Sequence, residues 1–294
     1  MKKLIIYAIA SGFLFTACQK DESENPETTP GNKVSATQNV SPVPATFVKK
    51  VMVEEFTSTA NGNAPIASRT LNMIVKGSPT RVFSAGLHIG DIMGLTQSTR
   101  LLNSFTPSNG AVPCATVDRT RIGGNIYLSS TQFSAAINGN LSKPAYCGLA
   151  INSSINGRSA QIDVHTGFAA TMPNSYKVTT YLIEDRIGNA NPSFYQANNF
   201  ANTAGSPFFN MSNPLTGYVH YNALRRVISE PMGDAINSNA LVSGGSDVKT
   251  YTLDLPAKYG TNSTWKVISF ITDDATNEIL NVQMGTLGTI QDWN

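Results

Sequence analysis

The chain changes style once, near residue 143, and that change limits the folds open to it. Before it, strand-like and helix-like stretches alternate. "VMVEEF" (51–56) reads as a strand. "IASRTLNMIVKG" (66–77) carries Ile66, Leu71, Ile74 and Val75 at helical spacing and stops at Gly77. "RVFSAGLHI" is a second strand, and "DIMGLTQSTRLLNSF" a second helix with Asp91 as its N-cap. "NGAVPCATVDRT" gives a turn, a Pro and a strand; "GGNIYL" is another strand and "SSTQFSAAINGNL" a last helix. This alternation predicts an α/β domain over 46–142, with helices on the sheet faces. After Pro144 the helical spacing disappears. "AYCGLAI", "SAQIDVHTGF", "YKVTTYLIED", "YVHYNALRRVI", "VKTYTLDL", "WKVISFITD" and "EILNVQMG" are strand candidates separated by polar turns. They predict an antiparallel β-sandwich over 143–294, jelly-roll or immunoglobulin-like.

The N-terminus sets the compartment. Lys2 and Lys3 precede an apolar run from Leu4 to Ala17, broken only by Ser11, Gly12 and Thr16. A spanning helix needs about 20 apolar residues, so this run is a signal segment, 1–17. It ends in "LFTAC", which resembles a bacterial lipobox and implies cleavage before Cys18 and acylation of Cys18, palmitate included. Acyl chains there would anchor the protein without a transmembrane helix. "QKDESEN" follows, resembling the surface-export signal of Bacteroidota lipoproteins and implying display on the outer face of the outer membrane. Residues 18–45 are rich in Pro, Thr, Ser, Asn and Gln, too polar for a core, and read as a tether. Removing the signal takes Lys2 and Lys3 from 21 basic residues and balances the rest against 19 acidic ones. A neutral chain with no basic stripe excludes nucleic acid as a partner.

One stretch looks built for catalysis and carries no catalytic group. "STANGNAPIAS" (58–68) links the first strand to the first helix, yet holds no Cys, His, Asp, Glu or Lys. A strand, a turn into a helix and a later Pro before a strand resemble a thioredoxin-like arrangement. In that fold the turn carries Cys-x-x-Cys, faced by a cis-Pro. Here Asn61, Gly62, Asn63, Ala64 and Pro65 stand at the turn, and Pro113 at the cis-Pro position. "VEEFTSTANGNAP", "GLHIGD", "GAVPCATVDR" and "YVHYNALRR" together resemble the twenty-eight-kilodalton outer membrane protein family of Bacteroidota lipoproteins. The resemblance implies a thioredoxin-like domain followed by a β-sandwich. Members often carry the Cys pair, and this chain departs at both cysteines. Thiol–disulfide exchange needs a thiolate and a resolving sulfur, which Asn and Ala do not supply. Asn61 can instead hold the turn by accepting backbone N–H groups.

Cys114 and Cys147 remain. They can bridge to each other and staple the two domains, stay buried, or leave Cys114 as a reactive thiol beside the turn. His88, His165 and His220 share no ligand spacing with one another or with Cys, and no G-x-S-x-G element occurs, so no metal centre or hydrolytic triad is expected. His220, Asn222 and Arg225 are read as pins for the neighbouring loop. Of Glu54 and Glu55, alternation predicts one solvated. "DDATNE" (273–278) lacks calcium-loop spacing and reads as a hairpin turn. The Asn- and Pro-rich loop 187–217 carries Phe194, Tyr195, Phe200, Phe208 and Phe209, which could stack on sugars or another protein, or fold back onto the sandwich. The sequence thus predicts an outer-membrane lipoprotein without a cofactor, binding another outer-membrane protein or an extracellular polymer. The alternatives are a thiol oxidoreductase using Cys114 and a glycan-binding protein.

Overall fold

The computed structural model describes residues 40–105 and 111–294. The signal segment, Cys18 and the tether to residue 39 lie outside the described residues.

The first part of the chain runs β1 (Val51–Thr57), α1 (Ala64–Gly77), β2 (Val82–His88), α2 (Thr96–Ser104), β3 (Cys114–Val117) and α3 (Phe133–Leu141). β1 and β2 are parallel, Val51 opposite Val82, as a crossover through α1 requires. β3 joins the other edge of β1 antiparallel, Glu54 opposite Thr116. Two expectations change here. Asp91 caps no helix: α2 begins later, after Leu95. "GGNIYL" forms no strand and leaves two isolated bridges, Ala115 with Leu128 and Ile122 with Asn125.

The second part supplies β4 (Cys147–Asn156), β5 (Ser159–Phe168), β6 (Tyr176–Asp185), β7 (Ile187–Gly188), β8 (Val219–His220), β9 (Ala223–Val227), β10 (Asp234–Ala235), β11 (Ser246–Asp254), β12 (Thr264–Asp273), β13 (Ile279–Thr286) and β14 (Ile290–Gln291). "YVHYNALRRVI" is split into β8 and β9, because Asn222 between them turns into the left-handed region at φ 48°.

The strands do not sort by residue 143. β13, β12, β6, β9, β2, β1 and β3 lie side by side in one sheet, with β10 paired to β6. The joint between the two sequence styles is the parallel pairing of β2 with β9 at Gly86 and Ala223. Segments 46–142 and 143–294 therefore share a sheet. The second sheet, β11–β5–β4–β14, is antiparallel and covers only the β6–β12 end. Leu149, Ile151, Ile162 and Val164 meet Val178, Leu182, Val267 and Ile271 there, which is sandwich packing.

At the other end the large sheet is covered on both faces. Val51, Val53, Val82 and Val117 pack under α1 and α3 with Leu71, Phe133 and Ile137. Met52, Phe56, Phe83 and Leu87 pack on the opposite face with Tyr181, Leu224, Ile268 and Phe270. β1 is consequently buried along its whole length, as a parallel central strand is. Neither Glu54 nor Glu55 reaches solvent, contrary to the alternation argument. Glu54 instead accepts from Arg119 Nε and Nη2, both at 2.8 Å, from Tyr181 Oη at 2.9 Å and from Thr116 Oγ1 at 3.1 Å. Burial alone would raise its pKa; the Arg119 charge and these hydrogen bonds hold it below the usual carboxylate range.

Candidate functional site

The turn between β1 and α1 is held by side-chain amides. Asn61 Oδ1 accepts from Asn63 N at 2.9 Å, and Asn61 Nδ2 donates to the Val112 carbonyl at 2.6 Å. The Val112–Pro113 peptide bond is cis. One amide thus clamps the turn to the segment facing it. Asn63 precedes α1 without capping it through its side chain, Ala64 is buried, and Pro65 sits in the first helical turn, where its missing N–H costs nothing.

A second segment closes over this turn from the loop 187–217. Ala197 N donates to the Thr59 carbonyl at 2.8 Å, and Asn199 N to the Gly62 carbonyl at 3.0 Å. Gln196 is buried, and its Nε2 faces the carbonyls of Ser58, Thr59, Asn61 and Ala197 at 2.9 to 3.2 Å. Gly62 is required by this closure: a Cβ there would overlap the Asn199 side chain. The Gly62 side of the turn is covered by the protein's own backbone, while Ala60 and Asn63 stay exposed.

The cysteines are free and both buried, with no bridge between them. Cys114 packs among Phe56, Phe105 and Tyr127 on one side of the large sheet, and Cys147 lies in the sandwich core. Burial pushes the Cys114 thiol up to about 12, with the Glu55 charge adding to the effect, and burial pushes Cys147 to about 12 as well. A thiol so far from ionising is a poor nucleophile at neutral pH.

Beside the turn, His88 Nδ1 meets Asp91 Oδ2 at 2.7 Å, and Asp91 also accepts from Thr59 N and Met93 N. Asp91 is therefore the clamp on this corner. His220 pairs with the Phe194 carbonyl at 2.9 Å and lies edge-on to His88. Burial, followed by the nearby His88, lowers the His220 pKa to about 4 and keeps its ring neutral. Asn222 donates to Ser84 Oγ, and Arg225 lies over the Tyr259 ring. These residues fasten β8 and β9 to the sheet. His165 is half-buried near Trp293, well separated in the fold from this corner. Among the described residues no group of three His, Cys, Asp or Glu side chains could hold a metal ion. In "DDATNE", Asp273 Oδ1 accepts from Ala275 N and Thr276 N, the bonding of a turn.

The five loop aromatics are not one surface. Phe194 is buried against Tyr259, and Tyr195 bonds the Ala190 carbonyl. Phe200 is half-buried and Phe209 exposed. Phe208 alone of the five lines the principal concavity among the described residues, a cleft of about 630 Å³ between α1 and the end of the loop. Arg69, Asn72, Met73 and Lys76 form its helix wall; Phe208, Met211, Leu215, Tyr218 and Tyr221 are opposite. That volume lies within the usual 300–1,000 Å³ of small-molecule sites. A small polar pocket adjoins it, with room for about one water. There Glu55 accepts from Ser68 Oγ at 2.7 Å, and burial raises the Glu55 pKa to about 7. The helix wall was missed by sequence reasoning. Its one signal was Met73, an apolar residue on the polar face of α1.

A family model for the outer membrane protein Omp28 matches residues 104–291. The chain belongs to the Omp28 family. Membership places it at the outer membrane. Among solved structures it resembles HBP35 of Porphyromonas gingivalis, at 18% identity and a TM-score of 0.62, over 82% of this chain and 76% of that one. At that identity the likeness concerns the fold. A domain of the outer membrane lipoprotein Omp28 from Porphyromonas gingivalis matches 49% of this Omp28-family chain and 90% of its own, at 11% identity and a TM-score of 0.32. No curated protein matches the sequence. Among the described residues no helix is long and apolar enough to cross a membrane.

Proposed function

We propose that this Omp28-family protein is a non-enzymatic binding protein, held at the outer membrane by acyl chains on Cys18 and facing the cell exterior. Its first half, 46–142, is a thioredoxin-like unit in which Asn61, Gly62, Asn63 and Ala64 stand where a Cys pair would. The parallel β1–α1–β2 crossover and the cis-Pro113 beside the turn support that reading. The observation that carries the proposal is the closure of Gln196, Ala197 and Asn199 over the turn. A surface sealed by main-chain hydrogen bonds does not receive a disulfide substrate. The working surface is the cleft between α1 and the loop, reached by a soluble ligand, an extracellular polymer or a segment of another outer-membrane protein.

The purified full chain is expected to turn over neither dithiol nor disulfide substrates. Turnover abolished by Cys114→Ser would establish the rival thiol oxidoreductase. A photo-crosslinking amino acid at Met73 in living cells is expected to yield a discrete adduct, whereas the same group at exposed Ile155 is not. Protease treatment of intact cells tests the outward orientation. Glycan capture by the loop aromatics is the weaker reading, because Phe194 is buried and the Tyr195 hydroxyl is already bonded to the Ala190 carbonyl.

A further inference from the structure

The two walls of the cleft differ in chemistry. Arg69, Asn72, Met73 and Lys76 follow the helical i, i+3, i+4, i+7 spacing, so α1 presents one stripe to the cavity. The facing wall is mostly ring and hydrocarbon: Phe208, Leu215, Tyr218 and the thioether of Met211, with Ser212 and Thr216 between them. Among the described residues no Asp or Glu lines the cleft. Arg69 and Lys76 make no ion pair among the described residues, and both are exposed. Lys76 Nζ stands 5.2 Å from the centre of the Tyr221 ring, which holds one cation at the apolar wall.

Two uncompensated cations beside a concave apolar surface select by charge. An anion drawn there meets a guanidinium fork suited to carboxylate or phosphate. Most of the facing wall is apolar, so the rest of the ligand is mainly hydrocarbon. Met73 is 60% and Met211 51% exposed, high for apolar residues on a folded surface. Their flexible thioethers adapt to an unbranched chain better than a rigid aromatic pocket would.

We infer that the cleft binds an anionic amphiphile: one apolar chain along Met73, Phe208, Met211 and Leu215, with a carboxylate or phosphate head at Arg69 and Lys76. This rests on the reading of the cleft as the working surface and names its ligand class.

The test uses the full lipidated chain in its own outer membranes. Three photoactivatable probes share one diazirine-bearing dodecyl chain and differ in the head: dodecanoate, dodecyl phosphate and dodecanol. The expected result is an adduct on peptides containing 69–76 or 208–221, formed by an acid probe about tenfold more than by the alcohol, a ratio equivalent to about 1.4 kcal/mol. The better acid identifies the head group. R69Q/K76Q should abolish the preference for acid while leaving alcohol labelling unchanged. Met73→Ser should lower labelling by all three. These positions are exposed, so the variants fold. Equal labelling by acids and alcohol, an acid preference that survives R69Q/K76Q, or adducts only outside these peptides would each overturn the assignment. None of those results would create dithiol turnover, so failure of the ligand class is separable from failure of the non-enzymatic reading.

Discussion

Gln196 concentrates the most consequence in one side chain. It is buried, and its Nε2 is the donor facing four carbonyls of the turn and the loop. Replacing it with Ala removes the side-chain donor and leaves the Ser58, Thr59 and Asn61 carbonyls one backbone N–H each, a cost of about 0.5–1.5 kcal/mol. Q196A should lower the unfolding free energy read from chemical denaturation by that amount and speed amide exchange at Ala197 and Asn199; unchanged exchange there would mean the closure does not depend on it. Glu55 is the second residue with a measurable signature. Its pKa is raised from 4.5 to about 7, so the folded state holds the proton more tightly than the unfolded one. Its contribution is complete below pH 4.5 and is lost as pH rises through about 7. Glu55→Gln has no proton to lose. Relative to the parent, its stability should improve by up to about 3 kcal/mol between those pH values, read from denaturation curves at several pH values. Cys114 and Cys147 should resist alkylation in the native protein and react fully in denaturant, a comparison that mass spectrometry makes directly.

At the scale of elements, local pattern was legible and non-local pairing was not. β1, α1 and β2 follow from alternating and helical spacing within single windows. The turn residues and Pro113 were found because they stand at strand ends. The loop 187–217 was seen as long and aromatic, but its destination was hidden. Gln196 meets Asn61 across 135 positions of chain, and no spacing rule reaches that far. The aromatic residues drew the eye, while the amides of Gln196, Asn198 and Asn199 do the fastening. Asp91 misled for a related reason: a residue suited to capping a helix instead anchors Thr59, His88 and Met93. Gly62→Ala should loosen the same contact from the other side, because the added methyl needs the space of Asn199. Increased exchange at Asn199 with the rest of β1 unchanged is the expected result.

For the molecule as a whole, the shared sheet decides how it folds. The face of β1 and β2 carrying Met52, Phe56, Phe83 and Leu87 packs with Leu101 and Leu102 of α2 and with side chains from β6, β9, β12 and β13. A chain ending at residue 142 would strip the strand side chains from that face. It should aggregate or bind hydrophobic dyes rather than fold, although the sequence style suggests a boundary there. Glu54, Arg119 and Tyr181 tie the same parts together in a dry core, all three being almost fully buried. Glu54→Gln leaves the Arg119 charge without its partner and should cost about 3–5 kcal/mol. Hydrogen exchange should show β1, β2, β6 and β12, which share one apolar core across residue 143, opening with one free energy.

The closed turn also sets a direction in time. Cysteines placed at 61 and 64 would rebuild a sulfur pair, but the second would lie where Ala64 is 1% exposed, beneath a bolted loop. Such a pair could be written into the gene by a few base changes and still meet no substrate until residues 196–199 were rebuilt as well. A path to redox chemistry at this turn needs changes at 61, 64 and 196–199 together. The seal is a ratchet on what this chain can become.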